Sequence, residues 1–429
     1  MRSNSVTTCF SLVTLVVAST IACTQKLPNY PPAYREYAYV TNGKSNTVSV
    51  LDMRNYKAIA TIPVGINPTG VTANSQKNEI YVVNTGSNSI SVIDAETNKF
   101  STTIGVGQSP YFIDVTRDGK RGYVANSGSN SVSVIDLDQH KVIRTVEVGA
   151  APGLARVSAD GNIVVTSNRS DGSISVIDAQ KLETRSKVAA CKQPTELAIL
   201  PDSSKVFAAC SGSGQVAVIE LGGSSSVTAT SSSPESLNPD QEQKSGTSAV
   251  PAKRKEPKIL PQLQAKSTNS ADRLLVLLDV GKTPLHLALK PDGGEIFVSN
   301  FDSNTVSEII TNTNEVSGSY LIGKHPVRGL VSGDNSILYV SNFGSDSIGV
   351  YSIDDGKLIG TVNVGSHPDA MALSPNQNFL FVADTAAGDV SVVRTAALPF
   401  PVLLTIIPVG QQPNAIAVKA FILRKPPTQ

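Results

Sequence analysis

A group of cationic side chains in the second half of this 429-residue sequence has the residue types and spacing to bind an anion. Three of the four histidines belong to it, and most of its members flank a proline that recurs along the chain. The group consists of Lys192, Lys282, His286, Lys324, His325, Arg328 and His367. Side by side they would form a positively charged arc suited to a phosphate, a uronate-bearing glycan or a nucleic-acid strand.

Acidic residues in the same region open two alternatives to anion binding. Glu196 and Asp369 are candidates for acid–base chemistry together with His286 and Arg328, as lactone hydrolysis would require. Glu196 and Asp369, with Asp302, Asp346 and Asp384, would also neutralise much of the positive field, which leaves a solvated polar face as the other alternative.

Several classes of site are not indicated. The chain has no nucleophile elbow, no Cys-x-x-Cys-His haem attachment and no glycine-rich phosphate loop. The histidines lie about one repeat apart, and this spacing does not bring donors together around an ion, so we predict no metal and no cofactor. The net charge of +1 argues against nucleic acid as a partner and against electrostatic membrane binding.

The elements that position these residues follow from an internal repeat. A Tyr-Val-x-Asn segment at residues 39–42 recurs, with variations, at 81–84, 123–126, 165–168, 207–210, 297–300, 339–342 and 381–384. The interval is 42 residues except for one of 90, which indicates an insertion of 48. Each copy reads as a strand, a polar turn, an alternating strand, a third strand ending in Val-Gly, and a fourth strand led by proline. Four short strands in tandem predict a propeller blade.

The Tyr-Val-Thr-Asn sequence and the Val-Gly-x-x-Pro punctuation resemble the YVTN-repeat β-propellers, a family of surface-layer and periplasmic proteins. The resemblance covers residues 38–420 apart from the insertion. It implies that the Pro-led strand is innermost in each blade. Some propellers related to this family are lactonases, and others carry haem or quinone-linked chemistry.

With that strand order, the number of blades can be counted. Seven complete blades begin at Pro68, Pro110, Pro152, Pro194, Pro284, Pro326 and Pro368. Three outer strands at residues 38–64 and one inner strand at 413–420 remain, and together they make one blade. We therefore predict an all-β propeller of eight four-stranded antiparallel blades, closed by both chain ends; the alternative is seven blades with unused end strands.

The segments outside the repeat have other predicted roles. Residues 1–23 read as a signal peptide whose Thr20-Ile21-Ala22-Cys23 ending resembles a lipobox, with Cys23 as the lipidated residue; a plain cleaved signal is the alternative. Residues 24–37 are a tether, 222–270 a disordered insertion and 421–429 a C-terminal tail.

Two kinds of repeat position invite a structural interpretation. Cys191 replaces the glycine of Val-Gly and Cys210 replaces the strand-end asparagine, both within one blade, which predicts a disulfide in an oxidising compartment; two semi-buried thiols are the alternative. The strand-end asparagines themselves are predicted to form turns by bonding their own backbone.

The loops before the inner strand and after the second strand open on one face of a propeller, around its channel, where a pocket is expected. The sequence favours a monomeric, exported binding or scaffold protein at the cell envelope. Its expected partner is a polymer or a protein. Contact with the membrane is expected only through the lipid anchor. A hydrolase acting on a small sugar lactone is the alternative.

Overall fold

The computed structural model describes residues 31–223, 271–396 and 400–423. They form eight four-stranded antiparallel sheets, and the inner strands of successive sheets are neighbours around a central channel. This confirms the predicted eight-bladed propeller. The one helical element among the described residues is a 3₁₀ turn at Thr85–Ser87. No helix in the described ranges has the length and hydropathy needed to cross a membrane.

Seven blades run consecutively along the chain, each from its inner to its outer strand, and the eighth combines the two ends. Blades 1 to 4 consist of the following strands, given from the inner to the outer one: blade 1, β4 Pro68–Ala73, β5 Glu79–Asn84, β6 Ser89–Asp94 and β7 Lys99–Gly105; blade 2, β8 Pro110–Val115, β9 Arg121–Asn126, β10 Ser131–Asp136 and β11 Lys141–Glu147; blade 3, β12 Pro152–Val157, β13 Ile163–Asn168, β14 Ser173–Asp178 and β15 Glu183–Ala189; and blade 4, β16 Pro194–Ile199, β17 Lys205–Cys210, β18 Gln215–Glu220 and β19 Arg273–Asp279.

Blades 5 to 7 continue in the same order: blade 5, β20 Pro284–Leu289, β21 Glu295–Asn300, β22 Thr305–Ile310 and β23 Glu315–Tyr320; blade 6, β24 Pro326–Val331, β25 Ile337–Asn342, β26 Ser347–Ser352 and β27 Lys357–Asn363; and blade 7, β28 Pro368–Leu373, β29 Phe379–Asp384, β30 Asp389–Arg394 and β31 Val402–Pro408. Blade 8 has the C-terminal strand innermost and consists of β32 Pro413–Ile422, β1 Tyr34–Asn42, β2 Thr47–Asp52 and β3 Lys57–Pro63.

The middle strands of each blade are buried on both faces because a neighbouring blade covers each side. In β9, Tyr123 and Ala125 pack towards blade 3, whereas Val124 packs towards blade 1. The outer strands have their exposed face in solvent, as the alternation in Glu183–Ala189 shows. The hydrophobic core therefore consists of the interfaces between neighbouring blades, and the inner strands line the channel.

Both chain ends close the ring in one sheet. Strand β32 pairs antiparallel with β1, from Tyr34 opposite Ile422 to Asn42 opposite Pro413. The pairing extends beyond residues 38 and 420, into the segments that the sequence assigned to the tether and the tail. Because the eighth sheet is complete, the seven-bladed alternative is wrong.

The strand-end asparagines hold two strands together rather than forming turns. Asn126 is fully buried, and its Nδ2 donates to Ser131 Oγ at 3.2 Å and Ser133 Oγ at 2.9 Å on the next strand. The prediction that these side chains bond their own backbone was wrong. The glycine of Val-Gly is explained by the same contact, since a Cβ at Gly107 would lie 2.5 Å from Asn126 Cγ.

Blade 4 replaces this contact with a covalent bond. Cys191 and Cys210 form a disulfide with a Cα–Cα distance of 5.8 Å. They occupy the positions at which other blades bring a glycine against the asparagine, so two side chains placed there point at each other. The disulfide thus joins the loop before the inner strand to the end of the second strand.

Several predicted features lie outside the described residues: the signal peptide, the lipidated Cys23, residues 24–30 of the tether, residues 224–270 of the insertion and residues 424–429 of the tail. For residues 38–420, the structure describes the propeller apart from that insertion and residues 397–399.

Candidate functional site

A cavity of about 410 Å³ opens in the channel and is lined chiefly by the inner strands. Five successive inner strands, β12 to β28, each contribute one ionisable side chain to it. These are Arg156, Glu196, His286, Arg328 and Asp369. The lining of the remaining three blades is neutral and includes Thr69, Val71, Tyr111, Phe112, Asn414 and Ile416.

An irregularity at the start of the inner strands helps to direct these side chains. Pairing with the second strand is interrupted between Pro194 and Leu197 and between Pro326 and Arg328. An interruption of this kind rotates the strand and changes where its side chains point. Glu196, in the interrupted stretch, and Arg328, at its end, both line the channel cavity.

Arg156 and Glu196 form an ion pair on one side of the cavity. The Arg156 guanidinium donates to Glu196 Oε1 at 2.8 Å, and the Leu197 backbone N–H donates to the same oxygen at 3.3 Å. Burial favours the protonated acid, but Arg156 and then His286 outweigh it and hold the pKa of Glu196 below its usual value. Among the described residues, Glu196 Oε2 has no hydrogen-bond partner, which leaves one ionised oxygen available to a ligand.

Asp114 supports Arg156 from the neighbouring inner strand. Its carboxylate accepts from the Val157 N–H at 2.9 Å and the Val115 N–H at 3.1 Å. Burial raises the pKa of Asp114, although Arg156 opposes this. Burial opposes the charge of Arg156, while Glu196 and Asp114 raise the pKa of its guanidinium. The guanidinium also lies 4.8 Å from the centre of the Phe112 ring.

Arg328 in blade 6 and Asp369 in blade 7 form a second ion pair. Arg328 Nε donates to Asp369 Oδ1 at 2.8 Å. Burial opposes the positive charge, but Asp369 is the main group that raises the pKa of Arg328 above its usual value. Arg328 therefore stays charged and retains N–H groups that can donate to a ligand.

His286 lies between the two ion pairs and is neutral near pH 7. Burial lowers its pKa to about 4; Glu196 opposes this shift, whereas Arg328 and Arg156 increase it. Its Nδ1 accepts from the Gly329 backbone N–H at 3.3 Å. This bond assigns the proton to Nε2, so the imidazole is a neutral hydrogen-bond donor at that atom.

A second, more open cavity of about 1290 Å³ adjoins the first at the channel mouth. Arg169, Thr195 and Leu285 line both cavities. Lys192 and the Cys191 half of the disulfide line only the second one. The Arg169 guanidinium lies 5.8 Å from the centre of the Tyr111 ring.

The structure divides the cationic group predicted from the sequence. His286 and Arg328 line the channel cavity with Glu196 and Asp369, and Lys192 lines the second cavity. The other members, Lys282, Lys324, His325 and His367, are exposed on the loops before the inner strands and line neither cavity. Two of them stack on phenylalanines, His325 on Phe301 and His367 on Phe343, at centroid distances of 4.5 and 4.4 Å.

Arg156, Arg169 and Asp114 were not among the candidates from the sequence. Asp114 and Arg156 stand four residues after the proline of their inner strands, where the other copies have threonine, alanine or leucine. The sequence feature that could have identified Asp114 and Arg156 is a charged residue within an otherwise apolar strand. Among the described residues, no group of three or more His, Cys, Asp or Glu side chains has an arrangement that could hold a metal ion.

Two family models match parts of the chain. A YNCE-like beta-propeller model matches residues 22–156, and a model described as lactonase, 7-bladed beta-propeller, matches residues 330–397. The chain as a whole has eight blades, one more than that lactonase description states. No curated protein matches the sequence.

Solved structures similar in fold to the chain include proteins of several functions. The hydrazine synthase of Kuenenia stuttgartiensis is 19% identical, with a TM-score of 0.54, 77% of this chain covered and 96% of that one. Dihydro-heme d1 dehydrogenase NirN, in complex with DHE, is 11% identical (TM-score 0.66, coverage 91% and 77%). A putative 6-phosphogluconolactonase of Bacteroides fragilis is 15% identical (TM-score 0.56, coverage 92% and 100%). At these identities the likeness shows the fold alone: the chain is an eight-bladed β-propeller that matches YNCE-like and lactonase models over parts of its length.

Proposed function

We propose that the protein binds a small polyhydroxylated, sugar-derived molecule in the channel cavity. The observation that carries the proposal is the set of five successive inner strands that each place one ionisable side chain around the same cavity. A scaffold built from repeats needs no such set, since the corresponding positions of blades 8 and 1 are filled by neutral residues such as Ala415 and Gly70.

The chemistry of the cavity suits a polyol. Guanidinium groups donate and carboxylates accept, and a hydroxyl group can pair with both. Phe112, Leu154 and Met371 add an apolar wall against which the face of a ring can pack. The volume of about 410 Å³ lies within the range typical of small-molecule sites.

The balance of charge argues against a highly charged ligand in this cavity. Arg156 is paired with Glu196, and Arg328 with Asp369. A polyanion would have to compete with both carboxylates for the arginines. This differs from the fully cationic arc expected from the sequence, and it favours a ligand head group that is neutral or singly charged.

Hydrolysis of a lactone is the second candidate function, favoured by Glu196 and His286. Glu196 Oε2 would take a proton from a water molecule as that water attacks the ester carbonyl. The oxyanion would be stabilised by His286 Nε2–H and the Arg328 guanidinium. The ring C–O bond then breaks, and the proton held by Glu196 passes to the leaving oxygen, so one lactone and one water give one hydroxy acid.

The partial match to the lactonase model includes Asp369 and supports this second candidate, as does the putative 6-phosphogluconolactonase among the similar folds. One physical fact limits the expected rate. Because its pKa is lowered, Glu196 is a weak base near neutral pH, and general-base catalysis is most efficient when the pKa lies near the working pH.

We further propose that the site works outside the cytoplasm, on a protein exported by residues 1–23 and anchored through Cys23. The Cys191–Cys210 disulfide supports an oxidising location. A cell-envelope polymer could supply the sugar-derived ligand.

The test is calorimetric titration with a panel of aldonolactones and the corresponding hydroxy acids, together with an assay of ring opening. Arg328→Gln should weaken binding at least about tenfold, because it removes charged hydrogen-bond donors. Glu196→Gln keeps a side-chain oxygen that can accept, so it should weaken binding less than Arg328→Gln does, and it should lose ring opening by about a hundredfold if hydrolysis occurs. Asp354→Asn, an exposed change far from the cavity, is the control.

Binding without ring opening by the wild type would leave the binding function and reject the hydrolase. If no member of the panel binds, or if Arg328→Gln binds as tightly as the wild type, the channel cavity is not the site and the proposal fails.

A further inference from the structure

The channel cavity and the second cavity share part of their lining at the mouth of the channel, beside blades 3 and 4. Arg169, Thr195 and Leu285 line both cavities, so the two cavities are adjacent. A ligand group that lies against these residues in the channel cavity is therefore close to the second, larger cavity.

Arg169 departs from the repeat at a position whose usual role is structural. In four other blades this position holds a serine or threonine whose hydroxyl donates to a backbone carbonyl of a neighbouring loop or strand: Thr85, Ser127, Ser211 and Thr385. The fold thus has no need of an arginine here. A guanidinium in its place extends over the Tyr111 ring instead.

The inner strand beneath Arg169 leaves room for that side chain. Gly153 follows the proline of β12, and a Cβ there would lie 2.8 Å from Arg169 Nε. The other seven blades have a side chain at this position, for example Tyr111 and Thr195. The absence of one in blade 3 allows the guanidinium to lie close to the backbone at the cavity junction.

The loop that carries Lys192 is held in place from two sides. The backbone N–H groups of Ala190 and Cys191 both donate to Gly172 O, at 2.9 and 3.0 Å, which ties the loop to blade 3. The disulfide ties the same loop to Cys210 in blade 4. The backbone that carries Lys192 is therefore fixed relative to the loop that carries Arg169.

Neither cation forms an ion pair with another described residue. No carboxylate among the described residues lies within ion-pair distance of Arg169 or Lys192. The acid that lines the second cavity, Asp171, is paired with Lys187 at 3.1 Å. The second cavity consequently has the unpaired charges of Lys192 and of Arg169, of which only Arg169 also lines the channel cavity.

We propose that the ligand is elongated and has an anionic group, a carboxylate or a phosphate, that binds to Arg169 and Lys192 in the second cavity. The inference rests on the proposed function, because the other end of the ligand occupies the channel cavity. The two ends are then recognised differently: the ring by paired charges and an apolar wall, and the terminal anion by two free cations.

The test compares three probes that share one ring: an uncharged aldonolactone, an aldarolactone with a terminal carboxylate, and the aldonolactone with a terminal phosphate. The variant is Arg169→Ser with Lys192→Gln, which introduces the residues that Ser127 and Gln108 supply at these positions in another blade. Lys44→Gln, an exposed lysine on a loop of the same face that lines neither cavity, is the matched control.

We expect the wild type and the control to bind at least one anionic probe about tenfold or more tightly than the uncharged one. The double variant should lose that preference and keep its affinity for the uncharged probe. The stronger of the two anionic probes identifies the terminal group.

If the double variant binds the anionic probes as the wild type does, while Arg328→Gln weakens all three, the inference is wrong and the proposed function stands. If the wild type binds none of the three probes, both are wrong. Circular dichroism of the double variant tests whether it is folded, so that lost affinity can be distinguished from lost structure.

Discussion

Blade 7 contains a buried and a half-buried acid where six other blades have an asparagine and a hydroxyl. Asp384 takes the strand-end asparagine position, and Asp389 is its cross-strand partner. Asp384 accepts from Ser391 Oγ at 2.7 Å, yet its Oδ1 and the Oδ1 of Asp389 are buried without a hydrogen-bond partner among the described residues. Burial, and then the interaction with Asp389, raise the pKa of Asp384 to about 8.

The raised pKa makes the stability of the protein depend on pH in a defined direction. Folded Asp384 keeps its proton up to about pH 8, whereas in the unfolded chain it loses the proton near its ordinary value. Unfolding therefore releases a proton in between, and the contribution of this group to stability falls as pH rises from about 4 to about 8. The loss is at most about 1.4 kcal/mol per pH unit.

Asp384→Asn should stabilise the protein at about pH 8. An amide in this position donates to the Asp389 carboxylate and to Ser391, as the asparagines of the other blades donate to hydroxyls. The amide replaces the Asp384 carboxyl group, which must ionise next to the carboxyl group of Asp389. A hydrogen bond to a charged group contributes about 1–3 kcal/mol, so we expect the free energy of unfolding to rise by about 2 kcal/mol. The gain should shrink as pH falls from about 8 towards about 4, because folded Asp384 then keeps its proton and no longer has to ionise beside Asp389.

The assay is urea unfolding of both proteins, followed by circular dichroism at about pH 5 and at about pH 8. Asp354→Asn removes an exposed carboxylate and should change neither value by more than about 0.5 kcal/mol. A gain that is equal at the two pH values, or absent at the higher one, would refute the reasoning, since the pair would then hold no extra proton.

Three further changes test other features of the fold and the cavity. Cys191→Gly with Cys210→Asn should cost about 3 kcal/mol in urea unfolding, because it opens a cross-link over a sequence separation of 19, and dithiothreitol should destabilise the wild type but not this variant. Gly107→Ala should cost about 1–3 kcal/mol, because the new Cβ would lie 2.5 Å from a buried amide, whereas Gly105→Ala, with no atom within 4 Å, should cost less than about 1 kcal/mol. Since the pKa of His286 is lowered to about 4, the free energy of unfolding should fall as pH drops from about 6.5 to about 4. His286→Gln should reduce that fall. If the variant and the wild type lose the same stability over this pH range, the imidazole protonates freely in the folded state.

The fold was predictable because the same order of four strands recurs eight times along the chain. A closure built from residues 38–64 and 413–420 follows from counting strands, and the paired β1 and β32 confirm it. The position of Asn126 was predictable, but its bonds were not: a strand-end asparagine suits a turn equally well. Only the packing of two strands places its amide against Ser131 and Ser133.

The candidate site was predicted in part for a related physical reason. Glu196, His286 and Arg328 were recognised because they stand two residues after a proline, near the loops that were compared. Arg156 stands two residues further along its strand, yet its guanidinium meets Glu196 in the same cavity. A long side chain on an adjacent inner strand can reach the same point as a short one nearer the loop, and sequence spacing alone does not show this.

Departures from the repeat fall into two physical kinds, and the difference indicates where function resides. Cys191 with Cys210, and Asp384 with Asp389, each face one another within a single blade, so both pairs are local replacements of the asparagine contact. The channel residues and Arg169 act differently. They come from successive blades, meet across a cavity, and leave donors and acceptors directed at space that no protein atom fills. A polar group directed into such space gains its partner only when a ligand is bound. On this ground we propose that the ligand site lies in the channel and at its mouth rather than at the exposed cations on the surrounding loops.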